Sequence, residues 1–140
     1  MGKQTGIWLD SERAYIITLT GGSPVVEEVE SPVETRVRIE GEHKPYSRLG
    51  GMYVNPQKKR TKKQEQQLRQ YFRMILKKVK DADEIFVFGP SNTPRRFYKE
   101  LLQHRDLAPR VVKYESEDHL TRNQMVARVR KVFEAKGSLV

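Results

Sequence analysis

The sequence contains no cysteine, and this absence removes several kinds of chemistry at once. Disulfide frameworks, thiolate nucleophiles and cysteine-ligated zinc sites all require that residue. The three histidines, His43, His104 and His119, are scattered, and none stands at metal-ligand spacing from another. No spacing of serine, histidine and aspartate supports a nucleophilic triad. We therefore expect no metal and no cofactor.

Long hydrophobic runs are also missing. No apolar stretch approaches the ~20 residues that a membrane-spanning helix needs, and the first residues lead into no signal-peptide core. A protein of 140 residues is long enough to bury a core of its own. We expect a single domain over residues 1–140, located in the cytoplasm, with no membrane partner and no small-molecule substrate.

Negative charge is scarce in one part of the chain. Residues 58–80 carry ten lysines and arginines but a single acid, Glu65, so this segment alone has the +9 net charge of the whole protein. A charge concentrated in this way indicates a polyanionic partner. The alternative interpretation of the run at residues 58–63 is a solvated charge run with no partner.

The first part of the chain predicts an antiparallel meander. Short runs rich in β-branched and aromatic residues alternate with turn signals. The predicted strands are residues 6–10, 14–20, 25–30 and 33–39.

Helices and strands are predicted to alternate in the second part. A long helix with an apolar stripe at three- and four-residue spacing reaches Lys80. A strand follows at residues 84–89, then a helix with Thr93 as N-cap and Pro94 in its first turn. A strand at residues 110–114 precedes a last helix, which Thr121 and Gln124 open as a capping box. This order predicts an α/β fold in which a mixed sheet, partly antiparallel and partly parallel, is flanked by about three helices.

Residues 41–63 form a long basic loop with no periodic pattern, and they contain the pair Gly50–Gly51. Loops of this length inside a compact domain are usually functional or disordered. The glycine pair has two interpretations: an ordinary turn that needs positive φ, or a tip at which the backbone approaches RNA closely.

Several strings resemble the middle domain of the eukaryotic and archaeal class I peptide release factors and their paralogue Pelota, and a bacterial release-factor-like family. They are the opening hairpin GIWLDSERAYIITL, the loop with a glycine pair, the basic helix and a strand ending in Phe-Gly-Pro. The element ESEDHLT and the final helix TRNQMVARVRKVF continue the resemblance. It covers nearly all of the chain.

In the release factors this loop carries Gly-Gly-Gln, whose glutamine works in the hydrolysis of peptidyl-tRNA. The matching residues here are Gly50, Gly51 and Met52, and a thioether cannot hold a water as an amide can. The resemblance therefore implies a non-enzymatic factor that binds the ribosome through rRNA, with tRNA as a further candidate partner. The implied roles are ribosome hibernation, protection or rescue.

The candidate RNA-binding residues come from the loop and from the long helix. They are Arg48, Gly50, Gly51, Met52, Tyr53, Lys58, Lys59, Arg60, Lys62, Lys63, Arg69 and Arg73.

Two other readings of the residues stay open. Asp10, at the end of the first predicted strand, resembles the first metal-binding carboxylate of nucleases with a ribonuclease H fold. Two-metal chemistry would need partners for it, with Glu40, Asp81 and Asp83 as candidates. The turn from residue 88 to residue 96 ends at a helix N-terminus, which is either a plain capped helix or a site that binds a phosphate with help from Arg95 and Arg96.

Overall fold

The computed structural model describes residues 3–21, 23–33 and 62–138, and the elements within them follow the order β-β-β-α-β-α-β-α. The strands are β1 (Gln4–Leu9), β2 (Arg13–Leu19), β3 (Val25–Glu30), β4 (Glu84–Gly89) and β5 (Val111–Ser116). The helices are α1 (Lys62–Val79), α2 (Thr93–Leu102) and α3 (Arg122–Ser138), and a short 3-10 turn (Ala108–Arg110) precedes β5.

The five strands form one mixed sheet in the order β3-β2-β1-β4-β5. The pairs β3–β2 and β2–β1 are antiparallel, whereas β1–β4 and β4–β5 are parallel. Parallel neighbours arise because a helix separates each later strand from the one before it. The predicted fold class, a mixed sheet with three helices, is confirmed.

Both faces of the sheet are covered by helices. Ile7 and Leu9 of β1 pack on the side of α1 and α2, while Trp8 between them packs on the side of α3. β4 divides in the same way, with Val87 on the first side and Phe88 on the second. Central strands buried on both faces are predominantly apolar, and the runs IWL of β1 and IFVF of β4 follow that rule.

Helix α1 is held against the sheet by its predicted apolar stripe. Its buried residues are Leu68, Tyr71, Phe72, Ile75 and Val79. Each such side chain stabilises the fold by about 1.5–3 kcal/mol when it leaves water. The ring of Phe72 also meets Phe97 of α2 edge-on, with centroids 5.2 Å apart, so α1 and α2 share one core.

Helix α3 approaches β1 very closely on the other face. A Cβ atom on Gly6 would overlap the side chain of Val129, so the absence of a side chain at Gly6 allows this contact. The predicted capping box holds the start of α3. The Gln124 amide N–H donates to Thr121 Oγ1 at 3.1 Å, and the Thr121 amide N–H donates to Gln124 Oε1 at 2.8 Å.

Two sequence predictions about helix boundaries are wrong. Asn92, and not Thr93, is the N-cap of α2, and its side chain makes no capping hydrogen bond. Thr93 is the first helical residue. Pro94 is tolerated directly after it because the N–H that proline lacks would have no intrahelical acceptor in the first turn. Lys62 and Lys63, assigned to the loop, form the first turn of α1. The predicted strand at 33–39 lies outside the described residues except for Val33.

Candidate RNA-binding surface

Four exposed cations of α1, with Lys80 directly after the helix, lie on the side that faces away from the core. At 3.6 residues per turn they fall within an arc of about 80°, opposite the buried stripe, and extend over about 27 Å. We call this set the cationic stripe: Lys62, Arg69, Arg73, Lys77 and Lys80. Gln66, which lies between them on this arc, and Gln70 at its border are exposed and neutral. The stripe therefore presents positive charge and hydrogen-bond donors with no acid among them.

The members of the cationic stripe have no acidic partner within the described part of the chain, whereas neighbouring cations do. Lys78 Nζ lies 2.5 Å from Glu27 Oε2 on β3. Arg96 donates to both oxygens of Glu65, at 2.8 and 3.2 Å, and these hydrogen bonds raise the pKa of Arg96 although its partial burial opposes the change. Glu65, the only acid of α1, is therefore paired with Arg96 and not with a member of the stripe. The positive potential of the stripe can then attract an external anion.

Helix α2 adds a second, shorter row of positive charge on the same side of the sheet. Arg95 and Lys99 stand one helical turn apart, and both are exposed without an acidic partner among the described residues. The sequence pattern predicted a role for Arg95 and Arg96 only at a helix N-terminus, and it did not single out Lys99. The four-residue spacing of Arg95 and Lys99 was the available signal.

The structure describes four of the sequence-predicted site residues. Arg69 and Arg73 lie in the middle of the cationic stripe, Lys62 lies at its start, and Lys63 is exposed beside it. The remaining predicted site residues lie outside the described residues: Arg48, Gly50, Gly51, Met52, Tyr53, Lys58, Lys59 and Arg60.

The carboxylates considered for a nuclease do not come together. Asp10 follows the last residue of β1, whereas Asp83 accepts a hydrogen bond from the Lys3 amide at 2.8 Å, before the first residue of β1. The six residues of β1 therefore hold Asp10 and Asp83 about 20 Å apart, at opposite ends of the strand. Asp81 lies at the same end as Asp83, and its Oδ2 is 3.9 Å from Lys3 Nζ. Glu40 is outside the described residues. In the described ranges no three potential ligands form a metal-binding group.

Asp10 instead organises the turn between β1 and β2. Its Oδ1 accepts the amide N–H groups of Glu12 and Arg13 at 2.8 and 2.9 Å, and its Oδ2 lies 3.3 Å from His119 Nε2. Its main-chain oxygen accepts the hydroxyl of Tyr71 at 2.9 Å. Burial, with the nearby charge of Asp10, raises the pKa of Tyr71, so this hydroxyl remains a donor. The contact fixes the middle of α1 to the end of β1.

The turn before α2 is shaped by packing. Gly89 has φ +145°, and a side chain there would meet the main chain of Leu9. Arg96, expected to help bind a phosphate at this helix end, is engaged by Glu65. The residues of this turn provide no assembled anion site.

No protein-family model matches the chain, and no curated protein sequence matches it. Among solved structures, the fold is similar to part of an archaeal Pelota structure. The chain is similar to Pelota from Archaeoglobus fulgidus, with a TM-score of 0.53 and 11% identity over 96% of this chain and 36% of the Pelota chain. The predicted resemblance to a Pelota domain is confirmed at the level of the fold.

The chain spans about a third of the Pelota structure that it matches. An archaeal translation termination factor, aRF1, is similar over 96% of this chain and 40% of its own, with 16% identity. Its TM-score of 0.43 is below the level from which a shared fold follows. No helix among the described residues is long and apolar enough to cross a membrane.

Proposed function

We propose that this protein binds ribosomal RNA through the cationic stripe and acts in ribosome hibernation, protection or rescue. The observation that carries the proposal is the row of exposed cations on α1, over about 27 Å, with no acidic partner among the described residues. The assignment to the ribosome is supported by the Pelota-like fold and by the release-factor resemblance of the sequence.

The stripe suits contact with the phosphate backbone. Lysine and arginine neutralise phosphates and release the counterions that surround RNA, so affinity falls as salt rises. Such contacts position a protein on RNA without reading its sequence. Arg69 and Arg73 add planar guanidinium groups, which bind phosphate oxygens through two parallel hydrogen bonds. Lys58, Lys59 and Arg60 directly precede the stripe in the sequence, and the proposal includes them as further phosphate contacts.

The proposed role involves no catalysis. Met52 stands where the release factors carry glutamine, so the matching position has no amide to hold an attacking water. We expect no release of peptide from peptidyl-tRNA on purified ribosomes, and no cleavage of RNA with magnesium or manganese. Peptide release by the purified protein would contradict this part of the proposal.

The decisive experiment compares two double variants with equal loss of charge. Arg69→Gln with Arg73→Gln removes the middle of the cationic stripe. Lys113→Gln with Lys131→Gln removes two exposed cations from β5 and α3, away from α1. Cosedimentation with ribosomes is measured over a series of salt concentrations for the parent and both variants.

We expect the stripe variant to bind about tenfold more weakly, and its plot of log affinity against log salt to be shallower by about 1.5, since each lost phosphate contact removes about 0.7–0.9. The control variant should bind as the parent does. Equal losses in the two variants would show that net charge alone attracts the ribosome and would overturn the assignment of the stripe.

A further inference from the structure

A shallow groove lies on the opposite side of the sheet from the cationic stripe. It has a volume of about 430 Å³ and runs between the start of β3 and the first half of α3. Its floor is apolar and is made by Pro24, Val26, Val126 and Ala127. Arg122 and Arg130 line it as well. A hydrophobic floor bordered by cations differs in kind from the wholly polar stripe.

The spacing along α3 gives this groove a regular pattern. Arg122, Val126 and Arg130 are four residues apart and therefore follow one ridge of the helix. The two arginines are separated by about 12 Å along the axis, with Val126 midway between them. The ridge thus presents a cation, an apolar group and a second cation in one line.

The two arginines are available to a ligand. The guanidinium of Arg122 lies over the ring of Tyr15, with 5.3 Å between its central carbon and the ring centroid. Its ion pair with Glu28 is long, at 3.8 Å, so this contact leaves most of the five N–H donors of Arg122 unused. Arg130 is exposed and has no acidic partner among the described residues. The stacking on Tyr15 holds one cation in place before any partner arrives.

We propose that this groove binds an acidic, aliphatic peptide segment of a partner protein. In an extended peptide, residues i, i+2 and i+4 point to the same side and span about 13 Å. A segment of the form acid-x-aliphatic-x-acid would place carboxylates on Arg122 and Arg130 and an apolar side chain over Val126. Arginine binds a carboxylate through two parallel hydrogen bonds, which favours this geometry.

The apolar floor distinguishes a peptide from RNA as the occupant. A sugar-phosphate backbone would match the two arginines, but it would place charged and polar groups against Pro24, Val26 and Val126, where they lose water without gaining hydrogen bonds. An aliphatic side chain between two carboxylates removes apolar surface from water on both partners.

The test is a titration of the full-length, ¹⁵N-labelled protein, followed by NMR, with the peptide acetyl-Gly-Glu-Ser-Leu-Ser-Glu-Gly-amide. We expect saturable shifts of the amides of Val26, Asn123 and Ala127. Arg130→Gln should weaken binding about fivefold, which is the upper range for an exposed ion pair. Lys131→Gln is the matched control, because Lys131 is the next residue and does not line the groove; it should leave the affinity unchanged.

Three results would overturn the proposal. The first is the absence of saturable shifts up to millimolar peptide. The second is equal binding of a peptide in which lysine replaces both glutamates, or equal weakening by Lys131→Gln. The third is a shift of the same amides by a short RNA oligomer in the variant that lacks Arg69 and Arg73, which would make a nucleic acid the occupant.

Discussion

Arginines lie on both sides of the sheet, but their surroundings differ. On the α3 side, Arg128 forms ion pairs with Glu115 and Glu117, and Arg122 combines a pair with Glu28 and a stack on Tyr15. On the α1 side, the cationic stripe has no acidic partner among the described residues. Among the described residues, paired and unpaired cations occur on both sides. What distinguishes the α1 side is the continuous row of unpaired cations that we propose as the RNA contact, whereas the unpaired Arg130 on the α3 side borders an apolar groove.

The largest effect is expected from the basic run that leads into α1. Changing Lys58, Lys59, Arg60, Lys62 and Lys63 to glutamine should weaken ribosome binding about a hundredfold and make the salt dependence shallower by about 4, at 0.7–0.9 for each phosphate contact. Thermal stability should stay constant, because Lys62 and Lys63 are exposed and glutamine has nearly the helix propensity of lysine. Cosedimentation over a salt series and thermal unfolding measure the two quantities. Unchanged cosedimentation at moderate salt would contradict the proposal that the α1 side contacts ribosomal RNA.

A smaller effect, on stability and not on binding, is expected on the α3 side. Gly6→Ala places a methyl group against Val129 and should destabilise the fold by about 1–3 kcal/mol, as overpacking of a core does. Val129→Ala should partly restore the stability of the Gly6→Ala protein, so the two changes will not be additive. Urea denaturation of the four proteins gives the coupling.

Ribosome binding at a temperature where Gly6→Ala is folded should match that of the parent. A loss of affinity in the folded variant would mean that the α3 side also contacts the ribosome.

The smallest effect is expected from Arg128→Gln, at or below about 1 kcal/mol, since Arg128 and Glu115 keep 27% and 23% of their side-chain surface exposed. Burial alone would raise the pKa of Glu115, but hydrogen bonds from Arg128 and Lys113 outweigh it and hold the pKa below the ordinary value of 4.5. A carboxyl with a lowered pKa stabilises the fold above its ordinary value, and this contribution disappears as the pH falls through the folded pKa.

The difference in unfolding free energy between the parent and Arg128→Gln should therefore be full at neutral pH and shrink below about pH 4. Urea denaturation at several pH values measures it. A difference that grows with acidity would mean that the arginine acts through some other contact.

Local sequence patterns predicted most of the helices and strands of the fold. The stripe from Leu68 to Val79 and the runs IWL and IFVF are periodic or continuous enough to define the helix and the buried strands. The capping box at Thr121 was predictable because its two hydrogen bonds join residues three apart.

The features that the sequence did not predict depend on contacts between distant residues. Arg96 is removed from its expected role by Glu65, which is 31 positions earlier in the chain. The groove beside α3 is lined by both Val26 and Val126. These residues are far apart in the chain, so no local pattern indicates that strand β3 and this helix share a groove. The nuclease hypothesis needed Asp10 and Asp83 at the same end of the sheet, and the parallel pairing of β1 with β4 places them at opposite ends.

The cationic stripe stands on a helix whose other side is buried by five core residues and tied to β1 through the hydroxyl of Tyr71. The backbone that carries the charges is therefore already ordered. In the proposed contact with RNA, α1 would need no backbone ordering, and the conformational cost would be side-chain freedom, at up to about 2 kcal/mol for each long cation that is fully immobilised. Little apolar surface is covered in this contact, so its heat-capacity change should be small. The packing of α1 on the core therefore fixes the spacing between the charges along the helix and the length of the charged surface.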